Sequence, residues 1–190
     1  MKQIISIIFC IVFIFTLAGC GGGKYPLNGI WSGQFTDDNV SFNVSVAFID
    51  DYCFAFNESS VDEMKYTYEK SKGTLTDTNR YEIHFSVKNN IMNYTVEGRD
   101  IVLNRDKSAK PAPDAIKGVW KDAEGVRIMA FVNDYAFLSN GRINAYGFHS
   151  FDNNEGFFIT NKYQLQTWFF VDGEKINAII NGSEYTFFKM

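Results

Sequence analysis

The phrase AFIDDYCF at residues 47–54 returns as AFVNDYAF at residues 130–137. A chain that repeats a stretch this closely has to satisfy the same local constraints in two places. The match is not isolated. Ala47, Phe48, Asp51, Tyr52 and Phe54 meet Ala130, Phe131, Asp134, Tyr135 and Phe137 at an offset of 83. Phe85, Val87, Asn93 and Gly98 then meet Phe169, Val171, Asn177 and Gly182 at 84, and Leu103 meets Phe187. At the front, Gly29-Ile30-Trp31 meets Gly118-Val119-Trp120 at 89, so the second copy has a first hairpin six residues shorter. The order is kept throughout, which marks an internal duplication with a unit of about 80 residues.

Each unit alternates with period two. Val40, Phe42, Val44, Val46 and Phe48 fall on one face of a strand, with Ser41, Asn43 and Ser45 on the other. Tyr81, Ile83, Phe85 and Val87 alternate in the same way with Glu82, His84 and Ser86. Such alternation specifies half-buried antiparallel strands. Asp50-Asp51, Lys88-Asn89-Asn90, Glu97-Gly98-Arg99-Asp100, Asn140-Gly141 and Asp172-Gly173 carry turn chemistry between them. No helical period follows the first twenty residues. The fold class expected is all-β: two tandem small antiparallel barrel or sandwich modules of seven or eight strands each, at 27–105 and 116–190. The stretch DKSAKPAPDA at 106–115 holds two prolines, which cannot join a central ladder. It reads as a linker and favours separately closed modules over one larger barrel made of two halves. Modules this small are expected to pack against each other.

The N-terminus has a different character. Lys2 precedes a fifteen-residue run from Ile4 to Ala18, interrupted only by Ser6 and Thr16. A helix crossing a bilayer needs about 20 apolar residues, so this run has the length of a secretory signal's apolar core. Leu17-Ala18-Gly19-Cys20 resembles the lipobox of bacterial lipoprotein signal peptides. That resemblance implies a signal peptide at 1–19, removed so that Cys20 becomes the lipidated first residue. Residues 20–26, including Gly21-Gly22-Gly23 and Pro26, form a tether reaching roughly 20 Å when extended. The expected location is the cell envelope, with the outer membrane or cell surface ahead of the inner membrane, and the membrane partner is reached through the Cys20 anchor.

Leu27-Asn28-Gly29-Ile30-Trp31 and Ile116-Lys117-Gly118-Val119-Trp120 open the two units. Each resembles the Gly-x-Trp at the first strand of lipocalin-like (calycin) barrels. In that family the tryptophan plugs the closed end of the barrel and a basic residue from a late strand lies across it. The resemblance therefore implies Arg105 over Trp31 and Lys189 over Trp120, a cation–π contact worth about 0.5–2 kcal/mol. It also implies a small hydrophobic ligand, although barrels of this size are commonly filled by their own side chains.

Little else in the chain points to chemistry. The formal net charge of −4 gives no basic surface for nucleic acid. His84 and His149 are the only histidines and have no His or Cys neighbour at metal-ligand spacing, so both are expected at the surface and no metal or cofactor is implied. Asp152-Asn153-Asn154-Glu155-Gly156 lacks the spacing of a calcium loop and reads as a polar turn. Asp37-Asp38 and Asp50-Asp51 are adjacent carboxylates whose side chains point apart, which acid–base work does not use. Cys53, replaced by Ala136 in the second copy, reads as a small buried side chain. No catalytic residue is assigned. One anomaly remains: Thr167-Trp168-Phe169-Phe170 is apolar on both faces, and Val126–Phe131 loses clean alternation. Cover from the first unit is the expectation for both, with a partner's docking patch as the alternative. The function expected is a lipid-anchored, non-catalytic module binding an envelope protein or glycan; the alternative is a lipocalin-like carrier of a small hydrophobic ligand.

Overall fold

The structure is a computed structural model that describes residues 25–37, 40–77, 79–96 and 98–190. Cys20 and the segment before it lie outside the described residues. Among the described residues there is no helix, and sixteen strands form two closed antiparallel barrels. The first barrel contains β1 (Gly29–Asp37), β2 (Val40–Ile49), β3 (Tyr52–Phe56), β4 (Val61–Glu69), β5 (Lys72–Thr76), β6 (Glu82–Lys88), β7 (Ile91–Val96) and β8 (Arg99–Arg105). The second contains β9 (Gly118–Asp122), β10 (Ile128–Val132), β11 (Tyr135–Ser139), β12 (Asn144–Asp152), β13 (Glu155–Ile159), β14 (Gln166–Asp172), β15 (Lys175–Ile180) and β16 (Ser183–Lys189). Each strand pairs with the next, and the last pairs back with the first. The chain therefore forms two separate barrels, and the single larger barrel is not how it folds. The barrels are closed, so neither is an open sandwich.

Turn residues set the registers. Asn89-Asn90 and Asn153-Asn154 both take positive φ between directly paired residues, Lys88 with Ile91 and Asp152 with Glu155. That is the twist a two-residue hairpin needs, and asparagine tolerates it. The length difference between the copies sits in the first hairpin: β1 and β2 pair from Gly29↔Phe48 to Asp37↔Val40, whereas β9 and β10 pair only from Gly118↔Phe131 to Lys121↔Ile128. The longer hairpin carries Phe42 and Val40 past the end of the barrel, where both are exposed although they continue the inward face of β2.

Each interior is packed with side chains. Trp31, Phe48, Cys53, Phe85, Met92 and Leu103 belong to the core of the first barrel; Trp120, Phe131, Ala136, Phe158, Phe169 and Phe187 belong to the second. A third core lies between the barrels and is built from outward-facing residues: Ile30, Ala47, Ile49, Phe54 and Phe56 against Val119, Ile128, Ala130, Val132, Phe137 and Tyr146. The repeated phrase supplies both cores at once. Phe48 and Cys53 point into the first barrel while Ala47 and Phe54 point out of it; Phe131, Ala136, Ala130 and Phe137 repeat this in the second.

The joint has approximate twofold symmetry. β2 lies against β10 and β4 against β12, with each strand facing its own counterpart. Phe54 stacks on Phe137, its equivalent at offset 83, with centroids 4.7 Å apart and planes 12° from parallel. Phe56 packs on Tyr146 at 4.8 Å, and the symmetry mate of that contact is Glu63 accepting a 2.7 Å hydrogen bond from Ser139 Oγ. Gly29 faces Asn133 as Gly118 faces Asp50. An isologous contact of this kind is what two copies of one fold make in a symmetric dimer. Here one chain supplies both halves.

Candidate functional site

The sequence singles out the two tryptophan stations first. Trp31 and Trp120 each donate from the indole Nε1 to the carbonyl four residues earlier, Leu27 at 2.9 Å and Ile116 at 2.7 Å. Each pairs across the closing seam of its barrel, Trp31 with Arg105 and Trp120 with Lys189. Arg105 Cζ and Lys189 Nζ both lie 5.3 Å from the centroid of the ring they cover. The seams are short, with two residue pairs joining β1 to β8 and three joining β16 to β9. A buried ring with a cation across it therefore sits on the closing seam of each barrel. The stations differ in one respect. Arg105 is half-buried and donates to the Asn28 carbonyl, and burial lowers its pKa. Lys189 is exposed and reaches the Asp114 carbonyl only at 3.4 Å. Both tryptophan rings are fully buried.

The remaining candidates are dispersed. His84 is exposed, 3.0 Å from Thr74 Oγ1. His149 departs from its expected surface position: it is half-buried, meets the Phe131 ring edge-on at 5.4 Å and donates from Nε2 to the Asn133 carbonyl at 3.0 Å. Alternation failed to reveal this because β12 passes from the buried joint to an exposed end within one strand. Burial lowers the His149 pKa. Burial raises that of the Cys53 thiol, which lies in the first core as an inert side chain. Asp152 to Glu155 is a tight turn. Among the described residues no three His, Cys, Asp or Glu side chains gather as a metal site requires.

The anomalous apolar stretches of the second unit separate into two cases. Ile128, Ala130 and Val132 are covered by the first barrel, as expected. Val126 is exposed, and so is the outer face of β14: Trp168 is 59% and Phe170 45% accessible, which corrects the expectation that the first unit covers them. The strand registers align these residues into two adjacent rows on the outside of the barrel. One row runs Ser150, Phe157, Trp168, Ile179, Glu184; the other runs Asp152, Glu155, Phe170, Asn177, Thr186. Phe157 and Trp168 lie 4.2 Å apart, with planes tilted by 37°. Thr186 Oγ1 donates to Asn177 Oδ1 at 3.0 Å. An open groove of about 630 Å³ runs along these rows from the Asp152–Glu155 turn to Ile179.

The twin barrel provides an internal comparison. At the stations of Phe157, Trp168, Ile179 and Phe170 the first barrel carries Thr74, His84, Thr95 and Ser86, in the same register and also facing outward. The fold closes without apolar side chains there, so the second barrel's aromatic rows are not required by the architecture. No family model matches the sequence, and no curated protein or solved structure matches it.

Proposed function

We propose that this chain is a lipoprotein of the cell envelope, anchored through Cys20, that works as a non-catalytic interaction module and engages its partner on the outer face of the second barrel. One observation carries the reading: Trp168, Phe170 and Ile179 stand exposed, with Phe157 half-buried beside them, where the equivalent residues of the first barrel are polar. Uncovered apolar patches rimmed by polar residues mark interaction surfaces, and tryptophan is the residue most often found at their energetic centre. The lipid anchor rests on the lipobox of the sequence. Its short tether would hold the barrels close to the membrane, with the outer membrane or cell surface favoured.

A carrier of a small hydrophobic ligand finds less support, because the side chains of the two inner cores occupy the space such a ligand would need. The test uses residues 25–190, which contain both barrels and their joint, sedimented with purified envelopes. Replacing the four residues with those of the twin barrel (Phe157→Thr, Trp168→His, Phe170→Ser and Ile179→Thr) is expected to lower the bound fraction by at least about tenfold, the loss of one hot-spot residue. Equal binding by the variant overturns the docking face. Mass spectrometry of the native protein tests the anchor: an N-terminus at Cys20 carrying acyl mass is expected, and one at Met1 refutes it.

A further inference from the structure

Resting on that reading of the second barrel's outer face, we infer that its ligand is a neutral glycan chain. Three observations lead there. The first is chemical pairing. Trp168, exposed and packed against the half-buried Phe157, offers aromatic surface on which the C–H face of a sugar can lie, and the adjoining row presents Glu155, Asn177 and Thr186, whose oxygens can accept or share hydrogen bonds with its hydroxyls. A largely apolar row directly beside a row in which Phe170 alone is apolar matches a molecule that is apolar on one face and polar around its edge. A lipid tail has no use for the second row.

The second observation is charge. The two rows hold the carboxylates of Asp152, Glu155 and Glu184 and no Lys or Arg. The row next to these two sets Lys175 across from Asp172 and over the Phe188 ring, so the carboxylates of the two rows outnumber the cations beside them. Such a surface disfavours phosphate groups and acidic sugars, whereas neutral sugar hydroxyls donate readily to carboxylates.

The third is size and shape. The rows cross five strands, β12 to β16, at about 4.8 Å spacing, so the strip is roughly 20 Å long and about two residues wide. A standard protein partner covers about 800 Å² on each side, and the apolar strip is far smaller. The groove of about 630 Å³, lined from β12 to β15, lies within the range of ligand sites.

The experiment measures co-sedimentation of residues 25–190 with envelopes that are untreated, oxidised with periodate to cleave vicinal diols, or digested with proteinase. Vesicles of phosphatidylcholine form a fourth arm. The expected result is binding to untreated and proteinase-digested envelopes, a drop of at least about tenfold after periodate, and no binding to vesicles. Trp168 is the only exposed tryptophan, Trp31 and Trp120 being buried, so acrylamide quenching of the intrinsic fluorescence should fall when the glycan is bound. Loss of binding after proteinase but not periodate would make the partner a protein, and vesicle binding would make it lipid. Either result overturns the glycan while leaving the interaction face standing. Absence of binding to untreated envelopes would remove both.

Discussion

At the scale of single residues, the duplication turns each station into a controlled comparison. Arg105 and Lys189 cover equivalent tryptophans at the same distance, yet only Arg105 is half-buried and hydrogen-bonded to the Asn28 carbonyl. Arg105→Met should therefore destabilise by about 2–3 kcal/mol, since it removes both the ring contact and a charged hydrogen bond. Lys189→Met should cost about 0.5–1 kcal/mol. Urea unfolding of the two variants checks the order, and equal losses would contradict it. His149 supplies a pH dependence. Its folded pKa is lowered from the usual 6.5, mainly by burial, with the Asn133 hydrogen bond and Asp134 opposing in part. The unfolded chain then binds the proton more readily than the folded one. The contribution is complete above about pH 6.5 and is lost as the pH falls below it. The urea midpoint should decline through that range, and His149→Gln should flatten the decline. A wild-type midpoint independent of pH there would exclude the effect. The tryptophan stations were legible in the sequence because Gly-x-Trp occurs twice and a basic residue returns at the matching offset. His149 was not, because its burial depends on a Phe131 ring brought in from another strand.

At the scale of strands, two glycines at equivalent positions limit how closely neighbouring strands can pack. Gly73 in β5 and Gly156 in β13 lie directly across from Phe85 and Phe169, whose rings cover them. A Cβ at Gly156 would meet the Phe169 ring at 2.0 Å, and one at Gly73 would meet both the Phe85 ring and the Thr67 carbonyl at 2.3 Å. A ring can swing aside and a backbone carbonyl cannot. Gly73→Ala should therefore destabilise by about 2–3 kcal/mol and Gly156→Ala by about 1–2 kcal/mol, read from thermal or urea unfolding. The reverse order would mean that the carbonyl contact relaxes more easily than the ring. Strand positions and hairpins were readable from alternation and from turn residues such as Asn89-Asn90. Which outward faces are covered was not. Ile128 to Val132 and Trp168 to Phe170 look alike in one dimension, being apolar on both sides. Only the placement of the first barrel separates them, hiding the former and leaving the latter in solvent.

At the scale of the whole molecule, the buried Phe54–Phe137 stack and its surroundings bind two closed barrels into one unit. Burying a phenylalanine contributes about 1.5–3 kcal/mol, and the joint holds several such side chains. Calorimetry of residues 25–190 should therefore show one transition. Phe137→Asp, which places a charge inside the joint while leaving both barrel interiors intact, should split it into two. A single transition in that variant would mean that the barrels do not unfold independently. A symmetric pair of separate chains would carry every outer surface twice. Joining the two halves in one chain frees each to diverge, and this chain has an aromatic groove on one half and threonine, serine and histidine on the other. On the proposed reading each molecule is univalent, and strong adhesion to a repetitive polymer would come from crowding many anchored copies in one leaflet, so that surface density sets the grip.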